Sequence, residues 1–150
     1  MELPAISQIG FVVANLELEL PRLRSLYGDF IVRRFTNEGF WYRDSLCDCV
    51  VDVAFGVSGD LELEILQPIS GAGPHREFLE KGGHGLHHLQ HRVQDIDPYV
   101  AWLGSQGYEC IWRMPRRGDA AVAYMSRRND PLIVELVEPL HRPPRSTSES

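Results

Sequence analysis

The sequence has only three cysteines, Cys47, Cys49 and Cys110. An odd number cannot all pair within one chain, and two of them stand only two positions apart, so we expect reduced thiols rather than a disulfide framework. The segment from Cys47 to Cys49 could offer thiolate ligands to a metal. Such ligands usually come in fours or with nearby histidines, so a thiolate site is the less favoured interpretation.

Long apolar runs and basic clusters are also missing. No apolar run approaches the ~20 residues that a membrane-spanning helix needs, so we expect a soluble protein that does not bind membranes. The formal net charge of -6 at pH 7 argues against a nucleic-acid partner, which would require a basic face. The opening segment, MELPAISQIG, lacks the basic and apolar regions of a signal peptide, and this predicts a cytoplasmic protein.

What the sequence does contain is an internal repeat, within a length of 150 residues that fits one domain. Residues 6–13 align with residues 86–93, and a helical pattern follows each segment. Asn15 and Asp95 are the candidate N-caps of the two helices. Pro21 lies within the first helical pattern, so this helix either starts late or is distorted there.

Three strand-like runs follow each helical pattern, so each half of the chain has the order βαβββ. The runs are 30–36, 49–55 and 61–67, then 108–113, 120–125 and 132–137. We therefore predict an α+β fold built from two βαβββ modules within one domain, residues 1–140. Module 1 covers about 5–68, a connector 69–84 and module 2 about 85–139, and the Pro- and Ser-rich residues 141–150 are predicted to be a disordered tail.

Polar residues interrupt several of these strands at matching positions. Because side chains alternate across a strand, Gln8, Asp52, Glu64, His88 and Glu135 are all predicted to project from the concave face, away from the helices. The same rule places Val51, Val53 and Phe55 of the run 49–55 on the helix side. Charged groups in apolar strands cost free energy unless they are paired or bind a metal. His87 and His91 are interpreted as core residues on the helix side.

These features resemble the vicinal oxygen chelate superfamily, which includes glyoxalase I, methylmalonyl-CoA epimerase, extradiol dioxygenases and bleomycin-resistance proteins. The segments GLHHLQHRVQDID, PLIVELVEP and REFLEKGGHG are most similar to methylmalonyl-CoA epimerase. The resemblance implies a glyoxalase-like fold, in which a curved mixed sheet surrounds a metal-binding cavity. It also implies one metal ligand on the first and last strand of each module, and these positions fall on Gln8, Glu64, His88 and Glu135.

Two departures from the epimerase pattern affect the chemistry that the resemblance implies. Epimerases usually carry His, Gln, His and Glu at the four ligand positions, whereas the set here is similar to that of eukaryotic glyoxalase I. Asp52 stands where the epimerases have their second catalytic acid/base, a Glu. We expect one divalent ion, which could be Co, Mn, Ni, Zn or Mg, with Gln8 as the least secure ligand because an amide binds metals weakly.

The function that these residues predict is a metal-dependent isomerase or epimerase that works by enolisation next to a metal-bound carbonyl. The favoured substrate class is an acyl-CoA-type thioester, with Asp52 and Glu135 as the acid/base pair on opposite modules. Asp52 could instead be a structural partner of Arg43 or Arg113. By analogy with two-module members of the family, we also predict a homodimer whose interface covers the edges of an open sheet.

Two other functions remain open. A glyoxalase-I-like lactoylglutathione lyase is favoured by the ligand set and disfavoured by the resemblance along the whole chain. A non-catalytic drug-binding protein of the resistance type is disfavoured because such proteins usually lack the metal ligands. An extradiol dioxygenase is not expected, since its Fe(II) needs two histidines and only His88 occupies a ligand position.

Overall fold

The computed structural model describes residues 1–117 and 120–139. The tail predicted at 141–150 lies outside this part of the chain. Within it, no helix combines the length and the apolar character that crossing a bilayer requires.

In the described part of the chain, eleven elements follow one another in the order βαβββ, α, βαβββ. The elements of the first module are β1 (Ile6–Val12), α1 (Leu16–Tyr27), β2 (Ile31–Tyr42), β3 (Ser45–Ser58) and β4 (Leu61–Gly71). The connector contains α2 (Pro74–Glu80). The second module consists of β5 (Gly85–Arg92), α3 (Ile96–Ser105), β6 (Tyr108–Arg117), β7 (Ala120–Arg127) and β8 (Ile133–Pro139).

The eight strands form one closed sheet in the order β1-β4-β3-β2-β6-β7-β8-β5. Pairing is parallel between β1 and β4 and between β5 and β8, and antiparallel elsewhere, so the predicted α+β fold with a curved mixed sheet is confirmed. The modules meet along β1 and β5, and again where Trp41 and Tyr42 of β2 pair with Arg113 and Trp112 of β6. The sheet therefore closes on itself within a single chain.

Helix α1 begins directly after its predicted cap, because the side chain of Asn15 accepts a hydrogen bond from the Leu18 amide at 3.2 Å. It ends at Gly28, whose φ of 86° is a conformation that glycine adopts without strain. Pro21 lies inside the helix, which does not start late. The ring removes one backbone donor, and burial of Leu20 and Leu23 on either side of Pro21 offsets that loss.

Each helix covers the outer face of its own module. The core under α1 includes Leu63 and Ile65 of β4, with Ile9 and Phe11 of β1 packed against it, as the strand alternation predicts. The core under α3 contains Leu136 of β8, together with Val134 at its margin. Residues that alternate with these on β4 and β8 consequently face the interior of the closed sheet.

The face prediction for β3 is wrong. Ala54 belongs to the core under α1, while Val51, Val53 and Phe55 line the interior cavity. Both faces of this strand are covered, and the interior is largely apolar, so hydrophobicity alone does not reveal which face meets the helix. Three strands are longer than the predicted runs 30–36, 49–55 and 108–113. Strands β2 and β3 continue as a hairpin to Tyr42 and from Ser45, and β6 extends to Arg117.

Candidate active site

His88 lies at the centre of the candidate site and is completely buried. It pairs with Gly10 across the junction of β5 and β1, and a Cβ atom at Gly10 would stand 2.0 Å from Cε1 of the imidazole. Only glycine leaves room for the ring at this position. The register between the two strands shifts next to this pair, and such a bulge re-aims side chains at the strand junction.

Two carboxylates converge on the Nε2 atom of His88. Glu64 of β4 places Oε2 at 3.0 Å, and Glu135 of β8 places Oε2 at 3.3 Å. Although Nε2 is fully buried, it has no well-aligned hydrogen-bond partner among the described residues. A buried nitrogen that faces two carboxylate oxygens without hydrogen-bond geometry fits the donor set of a divalent ion, since such ions take imidazole and carboxylate ligands together.

Burial and charge act in opposite directions on these groups. Burial lowers the pKa of His88, but the charges of Glu135 and Glu64 outweigh it, so that the pKa is raised overall. Burial raises the pKa of Glu135, and repulsion from Glu64 adds to this increase, while His88 and a hydrogen bond from Gln90 oppose it. Glu135 therefore accepts a proton more readily near neutral pH than an ordinary carboxylate does.

Gln8 lies one step away from this group of three. Its Oε1 accepts a hydrogen bond from Gln90 Nε2 at 3.1 Å, and its own amide donates to Glu62 Oε1 at 2.5 Å. The same Gln90 nitrogen donates to Glu135 Oε2 at 3.1 Å. Among the described residues, no side-chain hydrogen bond joins Gln8 directly to Glu64, His88 or Glu135. Gln8 is thus linked to the site through Gln90, which is not among the predicted site residues.

Three histidines form a second donor set that shares His88. The ligating atoms of His75, His87 and His88 all lie within 4.8 Å of one another, and the three side chains are at most 2% exposed. A divalent ion could bind this cluster as well. His75 Nε2 also lies 3.0 Å from the hydroxyl of Tyr124. The interpretation of His87 as a buried residue is right, but its helix-side placement is wrong because the bulge turns it toward His88.

His75 is not among the predicted site residues, because the segment that contains it, 69–84, was interpreted only as a connector between the modules. The sequence offered one signal: four of the six histidines stand within 14 positions, at 75, 84, 87 and 88, in and around a glycine-rich turn. Burial lowers the pKa of His87 to about 3, with a further decrease from the nearby His88. Both His75 and His87 are accordingly neutral near pH 7, the form in which an imidazole can bind a metal.

A cavity of about 160 Å³ opens beside the two carboxylates. Its walls are mainly apolar and aromatic, and its described lining is Phe35, Asn37, Phe40, Val51, Val53, Phe55, Glu64, Leu66, His75, Trp112, Met114, Val122, Tyr124 and Glu135. Trp112 stacks on Phe40 with ring centroids 4.8 Å apart. An engineered cavity of similar size, about 150 Å³, holds a benzene molecule, so there is room here for a small organic group next to Glu135.

Asp52 does not share this cavity, contrary to the face predicted for it. Arg34 holds its carboxylate with two hydrogen bonds of 2.7 and 2.8 Å, and both residues line a pocket beside α1. Hydrogen bonds from the Arg34 guanidinium lower the pKa of Asp52. The alternative prediction, that Asp52 is a structural ion-pair partner, named Arg43 or Arg113. The partner is instead Arg34. Arg43 pairs with Glu77, and Arg113 pairs with Asp97.

A model of the Glyoxalase/Bleomycin resistance protein/Dioxygenase superfamily matches residues 7–125. This chain belongs to that superfamily. A curated relative, the uncharacterized protein YqjC of Bacillus subtilis (strain 168), is 33% identical over 103 residues, which cover 67% of this chain and 74% of the relative. The predicted membership of the vicinal oxygen chelate superfamily is thereby confirmed.

Solved structures with the same glyoxalase-like fold include methylmalonyl-CoA epimerases. The enzyme from Mycobacterium tuberculosis has a TM-score of 0.65 and 21% identity, covering 93% of this chain and 90% of its own. A Streptomyces coelicolor methylmalonyl-CoA epimerase variant in complex with 2-nitronate-propionyl-CoA has a TM-score of 0.60 and 23% identity, covering 91% and 97%. At these identities the similarity establishes the fold of this superfamily member.

The cysteines take no part in the site described above. All three are free thiols, and Cys47 to Cys49 lie on β3. Burial raises the pKa of Cys49, which favours the thiol over the thiolate that binds metals. Reduced thiols are what the sequence predicted for this member of the superfamily.

Proposed function

We propose that this chain is a metal-dependent isomerase that enolises a carbonyl compound. One observation carries the proposal: the buried Glu135 and the partly buried Glu64 converge on Nε2 of His88 at the edge of an apolar cavity. Carboxylates that break apolar strands in this way need a compensating cation. A single divalent ion supplies one, with Glu64, His88 and Glu135 as its ligands, while Gln8 is hydrogen-bonded to Gln90 behind them.

The ion, when bound, would polarise a substrate carbonyl and so acidify the neighbouring carbon. Glu135 is the residue we assign as the base that removes the proton from this carbon. Its burial keeps its proton affinity high, and Gln90 holds one of its oxygens in place. The apolar walls around it exclude water, which protects the carbanionic intermediate from random protonation.

An acyl-CoA-type thioester is the substrate class we favour. The cavity beside Glu135 accommodates a small acyl group, and a thioester carbonyl acidifies its α-carbon more than a carboxylate does. Support also comes from structural neighbours, which have been crystallised with 2-nitronate-propionyl-CoA and with methylmalonyl-CoA. Epimerisation requires proton carriers on both faces of the enolate, and Asp52 no longer qualifies as the second carrier because it lies beside α1.

The position of Asp52 favours a second candidate function. Among the described lining residues, Glu64 and Glu135 are the carboxylates of the cavity. A single mobile carboxylate suffices to move a proton between adjacent carbons on one face, as in a lactoylglutathione lyase acting on a hemithioacetal. This alternative also agrees with the ligand set of Gln, Glu, His and Glu.

The deciding experiment is hydrogen exchange in D2O with metal-loaded protein. Methylmalonyl-CoA and the hemithioacetal of methylglyoxal and glutathione are offered separately, and mass spectrometry follows deuterium in substrate and product. We expect deuterium at the α-carbon of the thioester. Rapid conversion of the hemithioacetal alone would favour the lyase.

Glu135→Gln should slow exchange by roughly 10²–10⁴, the usual contribution of a positioned acid or base. The matched control is Glu138→Gln on the same strand, because Glu138 is also buried but accepts a hydrogen bond from the Ile96 amide at the start of α3. The control should retain wild-type exchange. Exchange by Glu135→Gln at the wild-type rate would refute the assigned base, and no exchange with either substrate would refute the proposed enolisation.

A further inference from the structure

The histidine next to the proposed metal ligand has a contact that bears on metal binding. His87 and His88 are neighbours in sequence, yet both rings lie inside the closed sheet, 1% and 0% exposed. Their Nδ1 atoms are 3.0 Å apart, a hydrogen-bonding distance. Since both atoms are ring nitrogens, one of them must carry the proton and the other must accept it.

The metal site determines which of the two atoms carries the proton. A neutral imidazole has one protonated nitrogen and one bare nitrogen, and only the bare one can bind a metal. The Nε2 atom of His88 faces Glu64 and Glu135, so it is the ligating atom and must be bare. The proton of His88 then lies on Nδ1, where Nδ1 of His87 accepts it in a hydrogen bond.

The ring of His87 is itself held firmly. Phe78 of α2 meets it edge-on with ring centroids 4.9 Å apart, and His75 of the same helix lies 5.3 Å from it. The bulge between β1 and β5 fixes its backbone. His87 therefore presents its acceptor nitrogen to His88 from a constrained position.

We propose that His87 is a positioning residue that fixes His88 in the tautomer whose Nε2 can bind the metal ion. The inference rests on the proposed metal site at Glu64, His88 and Glu135. The opposite tautomer would place the proton on Nε2, between the two carboxylates, and block coordination. Removing the acceptor should weaken metal binding without removing any ligand, as loss of such outer partners typically costs 10–100-fold in affinity.

The test compares two substitutions at position 87 with a control. His87→Leu fills a similar volume but cannot accept a hydrogen bond, whereas His87→Asn keeps an oxygen where Nδ1 stands. The control is His91→Leu on the same strand, which removes a buried histidine whose Nδ1 donates to the Pro4 carbonyl at 2.7 Å. The zinc dissociation constant of each protein is measured by competition with a chelator, without any substrate.

We expect about 10–100-fold weaker zinc binding for His87→Leu, recovery to within a few-fold for His87→Asn, and wild-type binding for His91→Leu. Equal affinity of His87→Leu and wild type would overturn the inference while leaving the metal site intact. Equal loss in both position-87 variants would also overturn it, because His87 would then be a ligand in the cluster with His75. If the wild type binds no zinc, the proposed metal site and the inference both fail.

A second measurement on the unmutated protein does not depend on the folding of any variant. In the zinc-loaded form, two-bond ¹H–¹⁵N correlation spectra report which nitrogen of each imidazole carries a proton. The expected pattern has the proton of His88 on Nδ1 and a bare Nδ1 on His87. A protonated Nε2 on His88 with zinc present would contradict the proposal.

Discussion

Gly10 and Gln90 occupy equivalent places in the internal repeat but have opposite effects on the site. Gly10 leaves space into which the ring of His88 fits. Gln90 fills the corresponding space in the second module and links Gln8 to Glu135 through its amide. A sequence that is nearly symmetric along its two halves thus forms an asymmetric site, in which His88 touches both carboxylates directly and Gln8 touches neither.

Gly10→Ala should damage both stability and metal binding. The added methyl group would overlap the imidazole of His88, which must shift away from Glu64 and Glu135. We expect the free energy of unfolding to fall by about 1–3 kcal/mol, as for other overpacked cores. Urea denaturation and zinc titration measure the two effects.

Gly104→Ala is the matched control, because Gly104 lies in α3 and a Cβ atom there meets nothing within 4 Å. Alanine is the better helix former, so this variant should gain up to about 1 kcal/mol. Unchanged zinc affinity in Gly10→Ala would show that the close approach of His88 to β1 does not matter for binding.

Asp52→Asn should leave turnover at the wild-type level. Arg34 and Asp52 have side chains that are 62% and 23% exposed, so solvent screens their ion pair and its loss should change the free energy of unfolding little. Activity and urea denaturation of the purified variant check both points. A rate loss of roughly 10²–10⁴ would instead support the acid/base role that the sequence assigned to Asp52.

At the scale of elements, side-chain hydrogen bonds connect α2 to the β2–β3 hairpin. Glu77 of α2 accepts hydrogen bonds from the Tyr42 hydroxyl and from Arg43, and it also pairs with Lys81 at 2.7 Å. Partial burial raises the pKa of Glu77, but these donors outweigh it and lower the pKa to about 2. The same short helix carries His75 and Phe78, which pack against His87.

The lowered pKa of Glu77 predicts how the stabilisation by its hydrogen bonds and ion pairs depends on pH. Because the folded-state pKa lies below the ordinary value of 4.5, the stabilisation is complete above about pH 4.5 and is lost as the pH falls toward about 2. Glu77→Gln should therefore destabilise the protein at about pH 7, and the difference from wild type should shrink at about pH 3. Urea midpoints at the two pH values measure it. A pH-independent difference would mean that the charge of Glu77 contributes nothing.

For the whole molecule, a bound ion should stabilise the fold measurably. A ligand that binds only the native state at 100 times its dissociation constant adds about 2.7 kcal/mol, or roughly 5–10 °C in melting temperature for a chain of this size. Thermal unfolding of chelator-treated protein with added Zn, Mn, Co, Ni or Mg tests this and ranks the metals. Glu64→Gln should reduce the increase, and an equal increase in that variant would place the ion elsewhere.

The homodimer stays a prediction, and one of its two reasons no longer applies. The sheet edges that a partner would cover are paired within the chain, since β1 joins β5 and β2 joins β6. The prediction now depends on the family analogy alone. Sedimentation equilibrium at micromolar concentration should give twice the mass of 17.1 kDa, and a strict monomer would contradict it.

Local pattern was enough to predict the elements and most of their faces. Helix caps at Asn15 and Asp95, the repeated βαβββ order, and the acidic residues in matching apolar strands are all properties of short segments. Strand alternation then places Glu64 and Glu135 on the inner face, because Ile65 and Leu136 next to them must be covered by a helix. These inferences need only the period of a strand and the location of the apolar core.

The tertiary structure decided what depends on contacts between distant segments. Register and closure of the sheet determine which face of β3 is inner, which residue pairs with Asp52, and that Gln8 lies behind Gln90. Short-range sequence patterns contain no information about these long-range contacts. The bulge beside Gly10 brings His87 inward, and packing of α2 brings His75 to it. The rule that side chains alternate across a strand assumes a regular strand. It therefore cannot predict the inward position of His87, which depends on the extra residue of a bulge.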